Sequence, residues 1–192
     1  MANSSEGTIS MRSSQMPTAE NGWVNTIKAT DPEAIALVQD LLESQIYCHL
    51  STCSPDGFPW SSPLLFVWDQ DLNLYWSSAI AAHHSQNLSQ NQGRAMVTVY
   101  DAARIKATFF AGNATELTEL EPLRQVLRQF DERAQRPTPR QAEDYLGISP
   151  RRMYQFTVQQ AWVSGDRLLS GGQLIDTKIH LDLATLKAYF SP

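Results

Sequence analysis

Cysteine is nearly absent from this 192-residue chain: only Cys48 and Cys53 occur, five apart inside one predicted strand. Side chains at that odd spacing point to opposite faces of a strand, so the two thiols cannot bond each other. No C-x-x-C or Cys/His zinc spacing exists either. Long hydrophobic runs are also missing, since stretches such as 63–68 fall far short of the roughly 20 residues needed to span a bilayer. Positive charge is scarce and scattered: Lys plus Arg total 15 against 20 Asp plus Glu, a formal net charge of −5. That balance argues against nucleic acid as a partner, and no basic amphipathic stretch points to a membrane surface. The G-x-S-x-G elbow of hydrolases and the phosphate-binding P-loop are absent. Residues 1–22 carry Ser, Asn, Thr and Gly without the apolar segment of a signal peptide, and read as a flexible tail. Without a signal or a disulfide framework, the expected compartment is the cytoplasm.

What is present suits a single domain over 23–192. Asp31-Pro32 followed by EAIALVQDLLESQ predicts a helix to about Ser44, with an acidic cap and proline at the first helical position. A strand begins near Ile46, and Ser54-Pro55-Asp56-Gly57 turns it into a second whose apolar part is 63–68. The polar loop 69–71 leads to a third strand, 72–76, then to a short polar helix near 81–90. Strands follow at 95–100 and 106–117, and Gly112 in the latter suggests a bulge or a close backbone approach. Thr118-Glu119-Leu120-Glu121 matches a capping box and opens a helical insertion, 118–147. A strand ending at Trp162, a glycine-rich loop over 168–173, a last strand over 175–183 and a short helix complete the chain. The fold class expected is mainly β: six or seven antiparallel strands in a split β-barrel with appended helices, because closure removes exposed edges.

The chemistry gathers where the third strand meets its helix. Ser77 and Ser78 end the strand and His83 and His84 open the helix, a polar corner suited to an anion. The plainer reading makes the serines a helix cap and the histidines a solvated face. Adjacent helical histidines point about 100° apart and cannot chelate one metal ion together. Trp60, Trp68 and Trp76 recur every eight residues and read as packing or interface residues. Cys48, His49 and Cys53 read as buried or inert.

The stretch LYWSSAIAAHHSQNLSQNQGRAMV, residues 74–97, resembles the FMN-binding split barrels related to pyridoxamine 5′-phosphate oxidase. Ser77 and Ser78 match that family's strand end, Asn87-Leu88 its Asn-Leu pair, Asn91 the following asparagine, and Asp56-Gly57-x-Pro59 the turn between its first two strands. The resemblance runs from about Asp31 to Leu117 and implies a homodimer with FMN at the interface, working as a flavin-dependent oxidoreductase on a small molecule. It places the cofactor contacts on Ser62, Pro63, Leu64 and Leu65 along the ring edge, on Ser77, Ser78, His83 and His84 at the phosphate, and on Lys106 or Trp162 beside the ring. The family's arginine falls on Ser62 and its Arg-Lys pair on His83 and His84, so three permanent cations are gone. The vitamin B6 substrate site does not carry over, because Arg167 and Lys178 stand at the wrong spacing after Trp162. A binding or sensing module that has lost tight FMN binding stays open as an alternative. So does a deazaflavin or haem protein, for which His49 or His84 is the candidate axial ligand. No side chain stands out as a catalytic acid or base.

Overall fold

The computed structural model describes residues 14–191. Strands β1 (Val24–Asn25), β2 (Tyr47–Cys53), β3 (Pro59–Leu65), β4 (Val67–Trp68), β5 (Asn73–Ala79), β6 (Arg94–Asp101), β7 (Lys106–Glu116), β8 (Arg151–Ser164), β9 (Leu168–Ser170), β10 (Gln173–Ile175) and β11 (Lys178–Leu181) alternate with four helices. These are α1 (Pro32–Ser44), α2 (His83–Gln90), α3 (Leu120–Arg133) and α4 (Leu183–Phe190), with a 3-10 turn at Ala142–Tyr145. Nine strands form one sheet, in which only the two-residue β1 pairs in parallel. The seven strands of four residues or more pair antiparallel, the split barrel the sequence suggested.

The ring closes through one bent strand. β3 pairs with β2 and β4 pairs with β5, while the chain turns between them at Phe66, which is fully buried. From sequence, 63–68 reads as a single strand; the continuous apolar run hides the bend, at which Phe66 N–H donates to the Ile46 carbonyl (3.3 Å). Between β3 and β5 there is no backbone ladder, and Pro63, which has no N–H, sits in the strand at that open edge. This gap is the split.

Inside the ring, α1 packs Ile35, Val38, Leu41 and Leu42 against Leu50, Trp76, Phe110 and Phe156. Its start is built as the sequence indicates: Asp31 accepts from Glu33 N–H at 2.9 Å and Pro32 takes the first helical position. Its end is held by the insertion. Arg133 of α3 donates to the carbonyls of Leu42 (2.6 Å) and Gln45 and lies 4.7 Å from the Phe66 ring centroid, so a cation meets the negative end of α1. The insertion has a second core of its own, Leu123, Val126, Leu127 and Phe130 against Val67, Tyr75, Tyr145 and Met153.

Several elements differ from the sequence reading. The 168–173 loop is instead a two-stranded hairpin, β9 with β10, turning on Gly171 and Gly172 at φ 55° and 79°. The capping box at 118–121 does not form: α3 starts one residue later with Glu119 at its cap, and a capping box appears at Gln141 and Asp144. Neither serine before α2 caps it, because the cap position falls on Ala82. Within the stretch read as a tail, residues 1–13 lie outside the described part. Residues 14–22 make hydrogen bonds, including Asn21 to the Met16 carbonyl at 2.8 Å and Trp23 N–H to Thr18 at 2.8 Å.

Gly112 marks the bulge as expected, with the β7–β8 register slipping between Ala111 and Gly112. A Cβ there would lie 2.1 Å from the Thr157 carbonyl oxygen, in backbone that cannot yield. Gly112→Ala is expected to cost about 3 kcal/mol by urea unfolding; a loss within about 0.5 kcal/mol would show that the sheet tolerates the contact.

Candidate functional site

The split is bridged by one imidazole. His84, in the first turn of α2 and 8% exposed, lies with Nδ1 3.1 Å from Ser62 Oγ on β3 and Nε2 2.6 Å from Ser78 Oγ on β5. Trp60 Nε1 donates to Ser62 Oγ at 3.2 Å. An indole N–H only donates, so Ser62 Oγ accepts from Trp60, and each serine hydroxyl can donate to or accept from its imidazole nitrogen, which satisfies a neutral ring on both sides. Burial, then the neighbouring His83, lowers its pKa from the ordinary histidine value.

His84 thereby fixes where α2 begins, and Asn87 and Asn91 hold the rest. Asn87 Nδ2 donates to Thr52 Oγ1 at 3.0 Å, and Asn91 Nδ2 donates to the carbonyls of Cys53 (3.2 Å) and Arg94 (3.0 Å). The helix start itself is bare. Ala82 offers no capping oxygen, and the N–H groups of His83, His84 and Ser85 have no acceptor among the described residues. Three aligned donors at the positive end of a helix form an anion-binding feature. His83 is exposed and stacks on Trp60, ring centroids 4.3 Å apart and planes 12° apart.

The outer face of the sheet carries a second feature. Pro63, His49, Thr98, Phe109, Trp162 and His180 are successive cross-strand partners from β3 to β11, a single row over six strands. A cavity of about 1120 Å³ lies on this face, bounded by Ser61, His49, Thr98, Tyr100, Phe109 and Lys106 among others. His49 meets Tyr100 edge-on at 5.2 Å and has no hydrogen-bond partner among the described residues. Lys178 Nζ lies 3.9 Å from the Phe109 ring centroid, and Arg104 is held by Asp40 and Asp101, each at 2.6 Å.

The residues singled out from sequence thus separate into groups. Ser62, Ser78 and His84 come together but satisfy one another, which leaves neither His84 ring nitrogen free. His83 flanks the helix start, whereas the half-buried Ser77 falls on the face of β5 opposite Ser78, in register with Met153 of the insertion core. Lys106 borders the cavity, while Pro63 and Trp162 share its face, Trp162 tilted against His180 at 5.2 Å. Leu64 packs on the main core and Leu65 on the insertion core. Of the tryptophans, Trp76 is buried against Tyr154 and Trp68 meets Phe190. The Cys48 thiol, buried, is pushed up to about 12 and is inert near neutral pH. Sequence reasoning missed Ser61, Tyr100, Phe109 and the bare helix cap. Only the cap left a signal: the run AIAAHH offers no Ser, Thr, Asp or Asn ahead of the helix.

The fold and corner together define a split-barrel protein with a helix terminus set at its seam. The sequence matches the pyridoxamine 5'-phosphate oxidase family over residues 35–164, and the chain belongs to that family. A search of curated proteins returns no match. Among solved structures, an F420 reductase superposes with a TM-score of 0.51 at 20% identity, covering 64% of this chain and 94% of that one. A haem-binding protein from Mycobacterium smegmatis gives 0.58 at 18% identity, covering 82% and 61%. A Clostridium acetobutylicum protein related to general stress protein 26 of B. subtilis, of the pyridoxinephosphate oxidase family, gives 0.53 at 12% identity, covering 75% and 93%. At such identities the likeness concerns the fold alone.

His84→Ala is expected to destabilise the protein by about 2–4 kcal/mol, the scale for an orphaned buried hydroxyl at Ser78, an emptied imidazole site and a lost cross-link. Because the folded-state pKa is depressed, the unfolded chain binds the extra proton. Stability is therefore full above pH of about 6.5 and falls as pH drops toward the folded-state value. Urea unfolding between pH 8 and 5, on ~1-unit steps, is expected to show this acid slope in the native chain and a shallower one in His84→Ala. Equal slopes would place the titration elsewhere.

Proposed function

We propose that the chain is an FMN-binding flavoprotein that works as a flavin-dependent oxidoreductase on a small molecule, as a homodimer meeting on the outer face of the sheet. The observation that carries this reading is the uncapped start of α2, pinned across the split by His84. A phosphate monoester bearing nearly two negative charges fits such donors. Where the family resemblance puts arginine and lysine, this chain relies on the N–H groups of His83, His84 and Ser85, with the His83 ring beside them. His84 contributes by position, holding the donors in register with β3 and β5.

When bound, the flavin supplies hydride or electron transfer; the protein supplies position and electrostatics. Ser61 ties the cavity to the corner through β3, being next in the chain to Ser62. The cavity exceeds the usual small-molecule range of roughly 300–1,000 Å³ and has Tyr100 and Phe109 as flat apolar walls. Lys106 sits at its border and Trp162 one strand beyond Phe109, where they would flank the ring system. Tyr47 and Tyr100 on this face are 56% and 43% exposed, apolar area that a second copy would cover.

One observation favours a second reading, a haem-binding module without flavin chemistry. His49 borders the cavity with an imidazole that makes no hydrogen bond among the described residues, whereas both nitrogens of His84 are taken. Of the two axial candidates named from sequence, His49 is the one available. Absorbance after adding each cofactor separates the readings: a Soret band that vanishes in His49→Ala supports haem, and saturable quenching of FMN fluorescence supports flavin.

Ala82→Asp is the sharper test, since a capping carboxylate would satisfy the free N–H groups and repel phosphate. The substitution is expected to raise stability by about 1 kcal/mol while weakening FMN binding by about tenfold or more. Unchanged FMN affinity in a stabilised variant would remove the helix start from the site.

A further inference from the structure

We infer that the helical insertion carries a second, separate binding site, for an organic carboxylate with a small apolar body, between α3 and the segment 135–143. A cavity of about 560 Å³ lies there, within the size range of small-molecule pockets. It does not depend on the flavin reading, because it shares no lining residue with the cavity on the outer sheet face.

The charge distribution is what sets this pocket apart. The chain is acidic overall and its positive charge reads as scattered, yet five of its 11 arginines fall within residues 124–140, a cluster the whole-chain balance hides. Arg133 points to α1, and the other four, Arg124, Arg128, Arg136 and Arg140, line the cavity. Two of these are organised by a single carboxylate. Asp131, with its side chain 12% exposed, accepts from Arg140 N–H at 2.7 Å and from the Arg140 guanidinium, and lies 4.0 Å from Arg136 Nε. Arg140 is further fixed over the Phe130 ring, 4.7 Å from its centroid. Asp131 thus fixes Arg140, while Arg136 Nε donates to the Thr138 carbonyl (3.4 Å) and Arg124 pairs with Glu121 (2.8 Å), so one negative charge serves both Arg140 and Arg136 and neutralises at most one.

Arg128 is different. It faces the same cavity from α3, one turn from Arg124, and has neither an ion pair nor a hydrogen bond among the described residues. A guanidinium with free N–H forks beside a second, half-neutralised one matches the planar geometry of a carboxylate. The floor is apolar, from the buried Leu127 and Ala142. Glu132 and Glu143 also line the cavity and oppose a second anionic group, so the ligand has one charged head and an uncharged body.

Benzoate is the probe that fits this description, with inorganic phosphate as the bare-anion comparison. Each is titrated at constant ionic strength into the full ¹⁵N-labelled chain, reading amide shifts. Saturable benzoate binding is expected, with shifts confined to α3 and residues 135–143, weakened at least fivefold in Arg128→Ala and partly restored in Arg128→Lys. Arg128 is exposed and unpartnered, so its loss should leave the unfolding midpoint unchanged, which separates ligand contact from folding. Non-saturable shifts, shifts spread over the sheet, affinity equal in Arg128→Ala, or binding of phosphate but not benzoate would each overturn the proposal.

Discussion

The structure turns on one hydrogen-bonded imidazole. A barrel that leaves two strands unpaired exposes polar backbone along the gap, and something must hold the facing edges at a fixed distance. Here β3 and β5 are joined by Ser62–His84–Ser78, with Trp60 donating into the chain from outside. Each hydroxyl can donate or accept, so a neutral imidazole is satisfied on both nitrogens without any charge entering the seam. Burial opposes protonation, and the bridge is weakest in acid. A link of this kind fixes α2 relative to two strands at once, and it is that placement, not the ring itself, that presents three N–H donors with no acceptor among the described residues.

The rest of the fold serves the same arrangement at longer range. The bend at Phe66 lets one strand pair first with β2 and then with β5, which closes the ring while keeping the split open beside Pro63. Arg133 ties the insertion to the end of α1 and lies over Phe66, so the bend, the central helix and the insertion share one residue. The outer face is left half-apolar, with its row of cross-strand partners from Pro63 to His180.

Much of this was legible in the chain. Asp31-Pro32 marked the start of α1, Gly57 the first turn with its φ of 90°, and Gly112 the bulge, because each depends on local backbone chemistry. The family was legible through the spacing of Ser77-Ser78, Asn87-Leu88 and Asn91. What escaped depended on contacts between distant residues. His84 is 22 residues from Ser62, and only closure of the ring brings them together, so a residue aligned with a phosphate ligand reads as one until its partners are known. Gly171-Gly172 is a hairpin signal, yet the small residues around it read as a loop. Nothing local in the apolar run 63–68 reveals the bend at Phe66.

The central claim is that α2, positioned by His84, offers its first N–H groups to the phosphate of a flavin. Comparing FMN with riboflavin, the same ring system without the phosphate, isolates that contact. Amide ¹⁵N–¹H spectra of the full chain should show large shifts at His83, His84 and Ser85 on adding FMN and little change there with riboflavin, which should bind more weakly. Equal binding of the two, or FMN shifts that leave those three amides unmoved, would contradict the account.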